Sequence, residues 1–388
     1  MKDIKFLWRE NYIDYLWATE TTGKHYFIDS GYFIYRNGVL SAYATKNEIS
    51  KSKELTKHLI DNPAKILEIK KHFDDIKEVI DIYHNLFISL KLEKLSNEDL
   101  FGIYVSLIDL YSKFIDSYKF TEPHMIDHVE SNIKKIVTKL KGKKDSNKII
   151  SHILSDKKYI KKYDLENYTD IFNLVKNVAE VRFEAKKITN ELSEDTENVL
   201  IETARRTNYA VNQISAMSLR ELKRLLLKSS EIDLYILNQR SKSFGIKVKV
   251  KNNKTFVEDL TDKQVKTIEA LDVENTGLLR GDSVYPGIIK GNVRLVPKLF
   301  SQKDYIKYVL TLKKGDIIVA PMTSPSLTPG FSKVSGVITD EGGLMSHAAL
   351  VSREKKIPCV VGTKNATQIL KEGDIIELNA DEGVITIK

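Results

Sequence analysis

Residues 336–354 constrain this chain more than any other stretch. Gly336-Val337-Ile338-Thr339 is a short β-prone run. Asp340-Glu341 leads into the pair Gly342-Gly343, then Leu344-Met345-Ser346-His347, and Ala348 to Glu354 reads as a helix. That order requires a strand, a tight turn and a helix in succession. Glycines let the backbone turn sharply and approach a ligand closely. A helix start leaves N–H groups unpaired at the positive end of its dipole, which makes an anion site with His347 standing in it. Neutral imidazole is an abundant nucleophile near pH 7. A phosphoryl group on its nitrogen could be held by the same N–H groups and passed on. The residues that would cradle it are Gly342, Gly343 and Ser346, whose hydroxyl suits both an N-cap and a phosphate. A histidine that only caps the helix, bonded to backbone, fits the same letters.

The chain before this stretch divides by pattern. In residues 1–45, two β-prone runs flank Asn37-Gly38, which suits a type I′ hairpin turn and gives a small β-element packed on the next domain. Residues 46–240 are helical. Ile66, Ile69, Phe73, Ile76, Ile80, Tyr83 and Phe87 hold one helix face by steps of three and four. Ser96-Asn97-Glu98-Asp99 resembles a capping box, Pro123 stands at an early helical position, and Ser218 caps a short helix. Val178, Val181, Ala185, Ile188 and Leu192 mark another stripe. Residues 241–282 hold a second hairpin, across Asn252-Asn253, and then a hinge from 272 to 282. Residues 283–388 form the last domain, tethered at one end, as suits a domain that carries its histidine between two sites. The fold class expected is α+β multidomain, with a largely α-helical N-terminal domain and a β/β/α swivelling domain after it.

Composition narrows the function classes. The 61 basic and 53 acidic residues are interspersed, a solvated surface more than a nucleic-acid footprint. The densest basic run, Lys139 to Lys144, lacks aromatic interleaving and reads as an inter-helix loop. No apolar run approaches membrane-spanning length, and no signal-peptide stretch comes after Met1. The lone Cys359 excludes an internal disulfide and fits a reducing cytoplasm. The expectation is a cytoplasmic protein with no nucleic-acid and no membrane partner.

Six blocks from Ser283 to Lys388 resemble, in order, the phosphohistidine domain of the phosphoenolpyruvate-utilising family. They are Tyr285-Pro286-Gly287 through Arg294; Gly315-Asp316-Ile317-Ile318-Val319; Ser324-Pro325-Ser326-Leu327-Thr328-Pro329; Gly342-Gly343 with His347 and Arg353; Ile357-Pro358-Cys359-Val360-Val361-Gly362-Thr363; and Leu370-Lys371-Glu372-Gly373-Asp374. Met345 replaces the threonine of the dikinases, and Met345-Ser346 is similar to the rifampin phosphotransferase branch. More loosely, Val178 to Glu184 and Ile201 to Leu222 resemble that branch's helical acceptor-binding domain.

The resemblance implies a phosphotransferase of the phosphoenolpyruvate synthase or rifampin phosphotransferase type, with His347 as phosphoryl carrier. Residues before 283 show no ATP-grasp pattern, and no phosphoenolpyruvate-binding barrel comes after the histidine domain. The resemblance therefore implies a separate ATP-grasp subunit that brings ATP and Mg²⁺, and a small-molecule acceptor held by the helical domain or another subunit. The alternative is a non-catalytic scaffold with a silent or regulatory histidine domain. Candidate acceptor-site residues are His124, His128, Arg182 and Glu184. The two histidines lie four apart on one helix, a spacing that serves metal ligation or base catalysis, and equally a charged outer face. Arg182, Glu184 and Arg205 serve phosphate binding or surface ion pairs. Arg353 lies roughly 240° around the helix from His347 at about 100° per residue, which points to a structural or docking role.

Overall fold

The computed structural model describes residues 3–11, 15–22, 27–36, 39–62, 64–142, 146–252, 254–270, 279–297 and 302–388. The turn residues Asn37-Gly38, Asn253, Lys143-Lys144 and residues 272–278 of the expected hinge lie outside the described residues. The architecture is α+β, and the chain forms two compact units that interleave in sequence. The first comprises residues 1–52, 71–120 and 188–274; the second comprises 53–70, 121–187 and 275–388.

The first unit holds a five-stranded antiparallel sheet, β1 (Ile4–Asn11), β2 (Ser30–Arg36), β3 (Val39–Thr45), β4 (Ser243–Lys251) and β5 (Lys254–Asp259), in the order β1-β3-β2-β4-β5. Both expected hairpins are present, with Arg36 paired to Val39 and Lys251 to Lys254. Sequence reading placed them apart; here β2 pairs with β4 along its full length, Phe33 opposite Ile246. The sheet is apolar on both faces. Phe33, Tyr35, Ala42, Phe244 and Ile246 fill one side, and Tyr32, Ile34, Tyr43, Val265 and Ile268 the other. The buried Glu48 carboxylate accepts from the N–H groups of Ile28, Asp29 and Ser30 at 2.6, 2.9 and 3.1 Å, closing backbone donors that no strand partner takes.

The principal helices are α1 (Lys46–Asp61), α2 (Ala64–Phe87), α3 (Asn97–Tyr118), α4 (Pro123–Lys141), α5 (Ser146–Ser155), α6 (Thr169–Arg206) and α7 (Leu219–Lys228). The apolar stripe of α2 is real: Ile66, Phe73, Ile80 and Phe87, seven apart, are all buried. Ser96 caps α3 reciprocally with Asp99, hydroxyl to N–H at 3.0 Å and carboxylate to N–H at 3.2 Å. Ser218 and Glu221 do the same for α7. Within the first unit, Tyr104 of α3 meets Thr203 of α6 through a buried hydroxyl pair at 3.0 Å. No described helix is long and apolar enough to cross a membrane.

The second unit contains an eight-stranded mixed sheet. Its strands are β6 (Leu279–Arg280), β7 (Asp282–Tyr285), β8 (Ile288–Leu295), β9 (Asp316–Ala320), β10 (Gly336–Thr339), β11 (Cys359–Val361), β12 (Ile375–Asn379) and β13 (Val384–Ile387), ordered β6-β13-β12-β8-β9-β10-β11-β7. Strands β8 to β11 run parallel. Helices α8 (Gln302–Thr311) and α9 (His347–Lys355) belong to their connections. Val293, Ile317, Val319, Ile338, Val360, Ile376 and Leu378 form the core. Every residue of β9, β10 and β11 is buried, as expected of parallel strands covered on both faces.

Candidate functional site

The site lies at the C-terminal end of β10, within the second unit. Asp340 leaves the strand buried and is pinned by Thr367, whose hydroxyl and N–H both donate to its carboxylate. Gly342 then takes φ +108°, and a Cβ there would lie 2.8 Å from Ser346 Cβ. Only glycine fits that step of the turn. Ser346 caps α9 by accepting from the Ala349 N–H at 3.3 Å, so the serine serves the helix as read from sequence.

His347 is the first residue of α9 and is 7% exposed. Its Nδ1 lies 2.7 Å from the Thr323 hydroxyl and its Nε2 lies 3.2 Å from the Thr328 hydroxyl. A neutral imidazole carries one N–H, so one hydroxyl accepts and the other donates. Phe183 of α6 stacks on the ring at 5.4 Å and 12°, while Phe331 meets its edge at 6.1 Å and 90°. Burial, with the positive charge of Lys186 adding to it, pushes the imidazole pKa down to about 3. The ring is therefore neutral at physiological pH and keeps a lone pair. Thr323 and Thr328 escaped the sequence reading. The signal was available in the block from Ser324 to Pro329, but nothing in its spacing says that hydroxyls on either side of Ser324-Pro325 reach one imidazole.

A carboxylate occupies the glycine turn. Glu130 of α4 accepts from the N–H groups of Leu344 at 3.1 Å and Met345 at 3.3 Å. It stands two residues after His128 on the same helix. Burial raises its pKa, opposed by the Leu344 N–H, Lys134 and Arg182. Lys134, one turn further, pairs with Asp282 of β7 at 2.8 Å.

The remaining candidates fall in different places. Arg182 is 9% exposed, beside Phe183, and its Nη1 has no hydrogen-bond partner among the described residues. It is not on a solvated face. Glu184 is half-buried on α6, two residues on and so roughly 200° around the helix from Arg182. His128 is half-buried on α4, two residues before Glu130, and the His124 side chain lies outside the described residues. Arg205 takes the surface reading, pairing with Glu202 at 2.7 Å. Arg353 is 4% exposed, and burial pulls its pKa down to about 10 against the favourable charge of Glu130. Among the described residues no group of three or more His, Cys, Asp and Glu side chains could hold a metal.

Comparison with known proteins bears on the same residues. The family model for the mobile domain of phosphoenolpyruvate-utilising enzymes matches residues 312–383. A probable phosphoenolpyruvate synthase of Archaeoglobus fulgidus is 40% identical over 114 residues, 29% of this chain and 14% of that one. The phosphoenolpyruvate synthase of Pyrococcus furiosus is 38% identical over 131 residues, 34% of this chain and 15% of that one. The rifampicin phosphotransferase of Bacillus subtilis is 31% identical over 164 residues, 42% of this chain and 18% of that one. Each match thus spans less than a fifth of the relative's own length. Residues 312–383, which present His347, are thus similar to the mobile domain of phosphoenolpyruvate-utilising enzymes, and the likeness to these relatives lies in that part of the chain.

Proposed function

We propose that the chain is a phosphotransferase component in which His347 accepts a phosphoryl group and hands it to a small-molecule acceptor. The observation that carries this reading is the state of the ring. It is neutral by burial, and each of its nitrogens faces a threonine hydroxyl. With Nδ1–H donating to Thr323, Nε2 keeps its lone pair and takes the phosphoryl group once the Thr328 hydroxyl turns aside. A bond from Nε2 to phosphorus forms as the donor's bridging oxygen leaves. In the second step that bond breaks as an acceptor oxygen attacks in line.

ATP is the donor in this reading, and a separate ATP-grasp subunit carries it with Mg²⁺. The acceptor side falls to α6. Arg182 and Lys186 stand one turn apart on either side of Phe183, the residue that covers His347. Phosphoryl transfer asks mainly for positioning and charge neutralisation, to which Lys186, whose charge acts on the ring, and Arg182, one turn before it on α6, contribute in this reading.

The test is the intact mass of the chain after incubation with ATP, Mg²⁺ and a candidate ATP-grasp partner, kept alkaline. A gain of one phosphoryl mass is expected, lost in acid and absent from His347→Ala. No gain with any ATP-grasp partner or other phosphoryl donor removes the carrier role.

A further inference from the structure

The glycine turn before a phosphorylatable histidine should hold an anion, and here it already holds one. Both oxygens of the Glu130 carboxylate are engaged, Oε2 by the Leu344 N–H at 3.1 Å and Oε1 by the Met345 N–H at 3.3 Å. The approach is so close that a Cβ on Gly343 would stand 2.4 Å from Oε2. The neighbourhood carries more positive charge than this carboxylate balances. Arg182 on α6, Lys134 on α4 and Arg353 on α9 act favourably on Glu130, and Asp282 on β7 opposes them. Lys134 is taken up by Asp282, whereas all three guanidinium nitrogens of buried Arg353 have no hydrogen-bond partner among the described residues. A buried guanidinium left without partners marks a place that suits additional negative charge. In the same arrangement Phe183 lies flat on the imidazole, and the His347 ring is buried.

We propose that Glu130 is an internal anion that stands in for the phosphoryl group at the Gly343–Met345 turn and keeps His347 shut until a donor displaces it. The inference rests on the reading of His347 as a phosphoryl carrier, but its mechanical part does not need phosphoryl transfer to be observed. Carboxylate and phosphoryl group compete for the Leu344 and Met345 N–H groups, and the guanidinium charges of Arg182 and Arg353 favour either anion. An unloaded domain is therefore held closed. A domain that receives a phosphoryl group elsewhere returns with its own anion and has no need of Glu130.

Accessibility of the ring tests this without any donor. The full-length chain is treated with diethyl pyrocarbonate at neutral pH, and carbethoxylation of His347 is followed by peptide mass spectrometry, the other histidines serving as internal references. Glu130→Gln places an amide N–H against one of the two turn donors, and Gly343→Ala drives the carboxylate out without altering it. Both should modify His347 about tenfold faster than the parent chain, the factor expected for one lost charge-assisted bond. The reference histidines should keep their rates. Phe183→Ala, which uncovers the ring directly, shows that opening is detectable. His347 rates equal to the parent's in either folded variant, with Phe183→Ala faster, would overturn the proposal. Should Glu130→Gln unfold, seen as faster modification of all histidines, Gly343→Ala decides alone. Failure of the mass-gain experiment would leave this result standing, so the two readings fail separately.

Discussion

Burial of His347 sets a pH dependence of stability with a definite sign. The native imidazole has its pKa pushed down to about 3 by desolvation, helped by Lys186. In the unfolded chain it titrates near 6.5. Between those values the unfolded state binds a proton on this ring that the native state does not. Stability therefore rises with pH across that window; the contribution is complete above pH 6.5 and is lost progressively as pH falls towards 3. At pH 5 the loss amounts to about 2 kcal/mol, from 1.5 pH units at roughly 1.4 kcal/mol each. His347→Gln keeps a polar group between Thr323 and Thr328 but titrates nothing. Amide hydrogen exchange of β9 and β10, measured at pH 7 and pH 5 after correction for intrinsic rates, reports the unit that holds the ring. The parent should lose about 2 kcal/mol more protection than His347→Gln. His84, whose pKa its bond to Asp195 raises, contributes with the opposite sign but is common to both chains and cancels. Parallel losses in the two proteins would refute a buried neutral ring.

Other consequences are read with simpler tools. Thr323→Val removes the hydroxyl 2.7 Å from Nδ1 at constant volume and should slow phosphorylation of His347 about tenfold, followed by intact mass against time. Glu48→Ala strips three backbone N–H groups of their acceptor and should cost roughly 2–4 kcal/mol in urea titrations of the first unit, whereas exposed Glu98 tolerates alanine. Gly342→Ala imposes φ +108° on an L-residue and should destabilise the second unit by about 1–3 kcal/mol, seen in the same hydrogen-exchange experiment.

Periodicity made the local elements legible. The α2 stripe, the two capping boxes and the strands beside Asn37-Gly38 are decided within a few residues, and local chemistry at those positions agrees with the fold. Pairings between distant segments were not. The partnership of β2 with β4 joins residues some two hundred apart, and nothing in Phe33 or Ile246 names the other. Strand β1 was passed over because Lys5, Arg9 and Glu10 interrupt its apolar residues, although it pairs with β3 from Ile4 to Asn11. At the site, the order strand, glycine pair, histidine, helix placed His347 and the Ser346 cap. Glu130, Phe183, Lys186, Thr323 and Thr328 reach the same centre from three other segments, and a side chain's partner across a fold leaves no mark on its own neighbours in sequence. Arg182 was a candidate for the acceptor site, with a surface ion pair as the other reading because charged residues on helices usually face water. Its burial is explained by the carboxylate of Glu130, a compensation visible only once α4 and α6 are in place.

The two adjacent glycines show how one pair of letters can answer two demands. Gly342 is required by the backbone itself, through its φ of +108° and its close approach to Ser346. Gly343 is outside the positive-φ set, and the obstacle to a side chain there is the Glu130 carboxylate. The first glycine therefore belongs to the turn and the second to the closed arrangement around His347. A carboxylate end can swing away from a new methyl group at little cost, whereas a left-handed backbone cannot relax without remaking the turn. Alanine at 342 should consequently weaken the fold, and alanine at 343 should spare most of its stability while opening the histidine. Were the two substitutions to act alike on both stability and ring access, the glycine pair would be one structural unit, and the competition between Glu130 and a phosphoryl group would lose its physical basis.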